Sequence, residues 1–257
     1  METRLKDVFK YPLTVITAPL GYGKTVLVRE FLKDQKADVF WAALDEGDRD
    51  KGYFVRRFIS LLREGNEESA PGLEQVIEFI KEAAATRSYV LVLDGYEHVA
   101  EMDWMNNLIK ELIKEPIYHF HIIVISRTMP YMNIEELRMK RVCQVLDEGD
   151  LRFDLQEVEE YLRINGLEGK IHPEEAYESS DGWIGAMTLM KEHKGIYGMV
   201  QEIYQLGDLL EEEILQKYDH LERDLLIVAA HLDEFKIKDL GEFGVDINSA
   251  TKCIYSV

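Results

Sequence analysis

The stretch Ala18-Pro19-Leu20-Gly21-Tyr22-Gly23-Lys24-Thr25 restricts this chain more than any other. It follows an apolar, β-prone run, Leu13-Thr14-Val15-Ile16-Thr17. It precedes a helical pattern carrying Val26, Leu27, Glu30, Phe31 and Leu32. A strand, a glycine loop closing in Gly-Lys-Thr and a helix together turn successive backbone N–H groups inward. The new helix aims its positive end at the same spot, so dipoles hold an anion there. This is the pattern of a phosphate-binding loop. Lys24 then reaches the β- and γ-phosphates of a nucleotide, and the Thr25 hydroxyl takes one place on Mg²⁺. Pro19, Leu20, Gly21, Tyr22, Gly23 and Val26 complete the expected nucleotide contacts. Ala18 stands where the written pattern has its first glycine; a small side chain fits there if φ stays negative. The plainer alternative is a glycine-rich turn before an ordinary helix, so the loop needs supporting parts.

Those parts come along the chain. Val39-Phe40-Trp41-Ala42-Ala43-Leu44 reads as a second strand, ending in the turn-forming cluster Asp45-Glu46-Gly47-Asp48. Asp48 is expected to cap the helix that carries Phe54, Phe58, Ile59, Leu61 and Leu62. Residues 63–72 read as a loop, and Leu73, Val76, Ile77, Ile80 and Ala84 as an amphipathic helix. Tyr89-Val90-Leu91-Val92-Leu93-Asp94 is a continuous apolar run ending in an acid, which suits a strand buried on both faces. A helix with Trp104, Leu108, Ile109, Leu112 and Ile113 follows. Strands are expected at His121–Ile125, ending in Ser126-Arg127, and at Arg141–Leu146. Strands alternating with helices predict an α/β doubly wound parallel sheet over residues 1–149. From Asp150 the period is helical, with Leu155, Val158, Tyr161 and Leu162, then Ile184, Met187, Leu189 and Met190. Further helical patterns run from Ile203 to Ala229.

Ligands of such sheets sit beyond the carboxyl ends of the strands, where the loop, Asp94 and Arg127 all fall. Asp94 is placed to hold Mg²⁺ through its water shell, beside Thr25; its alternative is a turn cap. Arg127 is placed to pair with a γ-phosphate and to tell triphosphate from diphosphate; its alternative is a surface ion pair. A general base is harder to assign. The position after Asp94, where a second acid would orient water, is Gly95. Glu97 or His98 then stands in for it, or is a solvated loop residue.

Composition narrows the partners. At 257 residues the chain has room for a full core and more than one domain. The formal net charge of −19 argues against a large DNA-binding face on this segment, since duplex affinity comes mainly from Lys and Arg. It leaves DNA binding to a domain elsewhere in a longer chain. No apolar run approaches the roughly 18 residues that span a bilayer, and Met1–Asp7 carries no apolar signal region. Cys143 and Cys253 lack metal-type spacing and suit reduced thiols in a cytoplasmic protein. Trp41, Trp104 and Trp183 are expected as core or domain-contact residues, and Glu211-Glu212-Glu213 as a solvated helix face.

With these residues placed, the chain resembles the nucleotide-binding end of the large ATP-binding LuxR-type transcription regulators of the STAND class, the maltose-activator-like group. The resemblance rests on Thr14–Thr25, on Trp41-Ala42-Ala43-Leu44-Asp45-Glu46-Gly47-Asp48 with Phe54, and on Leu93-Asp94 with Tyr96. Ser126-Arg127 with Pro130, Leu137-Arg138, Leu151-Arg152-Phe153 and Asp181-Gly182-Trp183 extend it. It departs from the family at Gly95, where a second Asp is usual. The resemblance implies an ATP- or ADP-bound switch with Mg²⁺, in which nucleotide state governs self-association and DNA binding. It further implies a helical domain at 150–206 and the start of a winged-helix domain at 207–257, with sensor and DNA-reading domains beyond this sequence. Two other classes remain open. An active P-loop ATPase motor or remodeller would turn over rapidly; a small-molecule kinase would transfer the γ-phosphate to an acceptor.

Overall fold

The computed structural model describes residues 5–62, 73–84, 87–114, 117 and 119–200. The loop expected at 63–72, the helical patterns from Ile203 onward, Cys253 and the winged-helix start lie outside these residues. The chain divides into two compact units, Met1–Thr188 and Leu189–Val257. In the second, the described residues are 189–200, where Gly195 N donates to Met190 O at 3.0 Å.

Strands and helices alternate in the first unit. β1 (Leu13–Thr17), β2 (Asp38–Ala43), β3 (Tyr89–Asp94), β4 (Phe120–Ser126) and β5 (Cys143–Leu146) form one parallel sheet in the order β2-β3-β4-β1-β5. α1 (Lys24–Lys33) follows β1. α2 (Lys51–Leu62) and α3 (Leu73–Ala84) join β2 to β3, α4 (Asp103–Lys114) joins β3 to β4, and α5 (Ile134–Met139) joins β4 to β5. After β5 come α6 (Glu148–Leu151), α7 (Leu155–Ile164), α8 (Pro173–Ser180) and α9 (Ile184–His193).

The continuous apolar runs are explained by helices on both faces of the sheet. Side chains alternate across a strand. Leu13, Val15, Leu91, Leu93, Ile122 and Val124 therefore share one core with Phe54, Val55 and Phe58 of α2 and Met105, Leu108, Ile109, Leu112 and Ile113 of α4. Ile16, Val90, Val92, Ile123 and Ile125 face the other way, onto Leu27, Val28, Phe31 and Leu32 of α1 and the N-terminal Leu5 and Val8. Fully burying each such aliphatic side chain contributes about 1.5–3 kcal/mol, so a strand apolar on both faces belongs in the sheet's interior.

Two local expectations are corrected. Asp48 does not cap α2. That helix starts at Lys51, so the cap falls to Asp50, whose Oδ1 accepts from Tyr53 N at 2.6 Å. Asp45 and Asp48, three residues apart, form a capping box around their own 3₁₀ turn, Glu46–Arg49. The Asp48 carboxylate is wholly buried and pairs with Arg57 of α2 at 2.8 Å; Arg57 also donates to Ala43 O. β5 starts at Cys143 rather than Arg141, because Arg141 takes a left-handed turn (φ 57°) as its N–H closes onto Arg138 O after α5.

Candidate functional site

The loop after β1 leaves the sheet in register with β4. Ala18 N donates to Ser126 O at 3.3 Å, and Thr17 sits opposite Ser126. Gly21 and Gly23 both have positive φ, 83° and 71°, the region that costs a side-chain-bearing residue most. Gly23 is the N-cap of α1 and provides no side-chain cap, so the first N–H groups of α1 meet the loop directly. Lys24 folds back across the loop, its Nζ donating to Ala18 O at 2.5 Å and Pro19 O at 2.8 Å. Leu20 and Val26 are largely exposed at either side.

Thr25 and Asp94 meet across β4. The Thr25 hydroxyl lies 3.1 Å from each carboxylate oxygen of Asp94. Mg²⁺ binds oxygens at about 2.1 Å in octahedral geometry, which puts neighbouring ligand oxygens about 3 Å apart. A hydroxyl and a half-buried carboxylate at this separation fit adjacent positions on that ion. The hard oxygen donors suit Mg²⁺ chemically as well.

Arg127, one residue past β4, is held by Glu97. Its backbone N donates to Glu97 Oε2 at 3.1 Å and its Nε lies 3.1 Å from Glu97 Oε1, so one carboxylate takes both contacts. Glu97 rides on the 3₁₀ turn Tyr96–His98 directly after Asp94-Gly95. That turn is fixed on both sides. Tyr96, fully buried, donates its hydroxyl to Asn106 Oδ1 at 2.9 Å, and His98 O accepts from Arg49 Nε at 2.9 Å. Burial lowers the Lys24 ammonium below the usual lysine range; Glu97 opposes this, Arg127 reinforces it, and Asp94 again opposes it. Lys24, Asp94, Glu97 and Arg127 thus form one electrostatic cluster at the carboxyl ends of β1, β3 and β4.

Gly95 is shaped as well as acid-free. Its φ is 85°, its N–H donates to Ile125 O at 3.1 Å, and a Cβ there would lie 2.9 Å from Leu44 O. Of His98, the other sequence candidate, the carbonyl accepts from Arg49 Nε.

The helical segment supplies one residue whose place against the loop local spacing does not reveal. The Trp183 indole abuts Gly21: a Cβ on that glycine would sit 2.7 Å from Nε1 and 2.8 Å from Cζ2. Ile184 approaches Gly23 in the same way, at 3.3 Å. Trp183 Nε1 is buried without a hydrogen-bond partner among the described residues. Gly21 therefore serves two needs, a left-handed backbone and room for the indole.

A five-stranded parallel sheet flanked by helices, with a Gly-Lys-Thr loop after β1, between β4 and β5, and an aspartate at the end of β3, defines a P-loop NTPase domain. Residues 9–127 match the family described as AAA domain. Solved structures share the fold: a Walker-type ATPase of Pyrococcus abyssi (TM-score 0.57, 13% identity, 84% of this chain and 73% of that one). Another is a Signal Transduction ATPase with Numerous Domains from Pyrococcus horikoshii (TM-score 0.53, 16% identity, 91% and 34%). Among curated proteins the chain is 25% identical over 256 residues to the HTH-type transcriptional regulator MalT of Cronobacter sakazakii, covering 89% of this chain. The domain is related to MalT-type transcriptional regulators. The chain spans 28% of the length of the curated relatives it matches. Among the described residues, no helix is long and apolar enough to cross a membrane.

Proposed function

We propose that this segment is the nucleotide-binding switch module of a transcriptional regulator, taking ATP or ADP with Mg²⁺ and passing its nucleotide state to domains outside this sequence. The observation that carries the reading is the convergence of Lys24, the Thr25–Asp94 pair and Arg127 around one glycine loop, with no acid at position 95. Backbone N–H groups of the loop and of α1 would hold the phosphates, and Lys24 would exchange its two carbonyls for phosphate oxygens. Thr25 and Asp94 would hold Mg²⁺, which neutralises charge on the phosphates when bound. Arg127 would read the γ-phosphate. The divisions at residues 150 and 207 belong to the same proposal, as do self-association and DNA binding of the longer protein.

Calorimetric titration with ADP and ATP in the presence of Mg²⁺ tests this. Wild type should bind both nucleotides, and Lys24→Ala should lose binding while keeping its far-UV circular dichroism and melting transition. Equal binding, or none, in wild type and variant overturns the reading.

A further inference from the structure

Glu97 is a natural candidate for the residue that orients an attacking water, because it follows the Asp94 strand so closely. Its geometry serves another purpose. Both carboxylate oxygens are engaged by one residue, Arg127, one through the backbone N–H and one through Nε. Such a carboxylate presents to Arg127 what a phosphate presents, two oxygens at hydrogen-bond distance with full negative charge. The carboxylate is mostly buried, whereas the Arg127 side chain is 57% exposed and free to re-aim from its Cα. The turn that carries Glu97 is pinned by the Tyr96–Asn106 and Arg49–His98 hydrogen bonds, so in any exchange of partners the arginine is the member that moves.

We infer that Glu97 is an internal substitute for the γ-phosphate: it holds Arg127 until a triphosphate competes for it, and so sets how strongly the site prefers ATP over ADP. This rests on the nucleotide-switch reading given above. A diphosphate offers Arg127 nothing in exchange, and the Glu97 pair stays closed. A triphosphate must draw the guanidinium away, and its apparent affinity falls by the fraction of time that Arg127 is free. Glu97 is thus a specificity-determining residue, acting through Arg127.

The test is a double-mutant cycle read as affinity for ADP and for a slowly hydrolysed ATP analogue, both with Mg²⁺, by calorimetry. Glu97→Gln keeps the shape and removes the charge. It should tighten the triphosphate analogue by about tenfold and leave ADP within about twofold. Arg127→Ala should remove the preference between the two nucleotides. Glu97→Gln placed on Arg127→Ala should add no further change. Glu97→Ala is the second variant, with the same expected direction, and melting curves establish that each protein is folded. The inference is overturned if Glu97→Gln shifts both nucleotides equally. It is also overturned if the shift persists without Arg127, or if the substitution lowers turnover while the affinity ratio is unchanged, which is the behaviour of a general base. Lys24-dependent binding with a silent Glu97→Gln removes this inference alone. Absence of Lys24-dependent binding in wild type removes the nucleotide reading and this inference with it.

Discussion

At the scale of single residues, Gly95 separates a missing side chain from a missing possibility. The position where relatives in the resembled family carry a second acid has φ 85° here, and the Leu44 carbonyl stands 2.9 Å from where a Cβ would be. Adding a carboxylate does not restore a water-orienting base, because any Cβ costs about 1–2 kcal/mol in the left-handed region before the contact with Leu44 is counted. Gly95→Asp and Gly95→Ala should therefore lower the urea midpoint by similar amounts, and neither should raise ATP turnover. A fast, stable Gly95→Asp enzyme would contradict this. Asp48 makes a different residue-scale case. Its carboxylate is buried against Arg57, which also donates to Ala43 O, so Asp48→Ala removes one of that guanidinium's contacts and the capping bond to Asp45 N. Loss of a hydrogen bond to a charged group costs about 1.5–3 kcal/mol, measurable by urea unfolding. Neither residue's role is legible in sequence. A glycine does not announce the sign of its φ, and an aspartate three residues before a helix looks like a cap until the helix start is known.

At the scale of elements, legibility follows the hydrophobic pattern. β1, β3 and β4 are readable because most of each run is apolar on both faces and buried. β2 and β5 are readable only to within one or two residues. β2 is half-exposed at the sheet edge, and β5 waits on a left-handed turn at Arg141. The order β2-β3-β4-β1-β5 and the Glu97–Arg127 pair depend on pairing across the sheet, which no local period encodes. The start of α7 is fixed by an acid at capping spacing. Asp154 accepts from Glu157 N at 2.8 Å and Glu157 returns the bond to Asp154 N, a complete capping box for α7. Asp154→Ala should cost about 1 kcal/mol in thermal or urea unfolding. The start of β4 carries a titrating element. His121 Nδ1 lies 3.0 Å from Tyr11 O, and its ring meets Phe9 edge-on at 5.0 Å. Burial lowers its pKa, and the Tyr11 carbonyl offsets this only in part. A base lowered by folding prefers its neutral form in the native state. The associated stability is present above the ordinary histidine value of 6.5 and is lost as pH falls below it. Urea midpoints between pH 7.5 and 5 should fall toward acid, and His121→Gln should flatten that slope.

At the scale of the whole molecule, ligand and fold are linked. A nucleotide that binds only the native state stabilises it by about 2.7 kcal/mol at a hundredfold excess over Kd. The melting temperature should therefore rise with ADP and Mg²⁺ in wild type and stay constant in Lys24→Ala, as read by differential scanning calorimetry. Trp183→Ala should weaken binding as well, because the indole that backs Gly21 is removed. The strand order has a kinetic consequence. β1 pairs with β4 through Leu13 and Ile122, and with β5 through Leu13 and Cys143; neither neighbour is close in the chain. The strand that presents the phosphate loop thus has no sheet partner until on the order of a hundred further residues have left the ribosome, and contacts so distant in sequence form late. A nascent chain stalled before Ser126 would carry every atom of the loop and still grip no nucleotide, so acquisition of ligand affinity marks completion of the domain during synthesis.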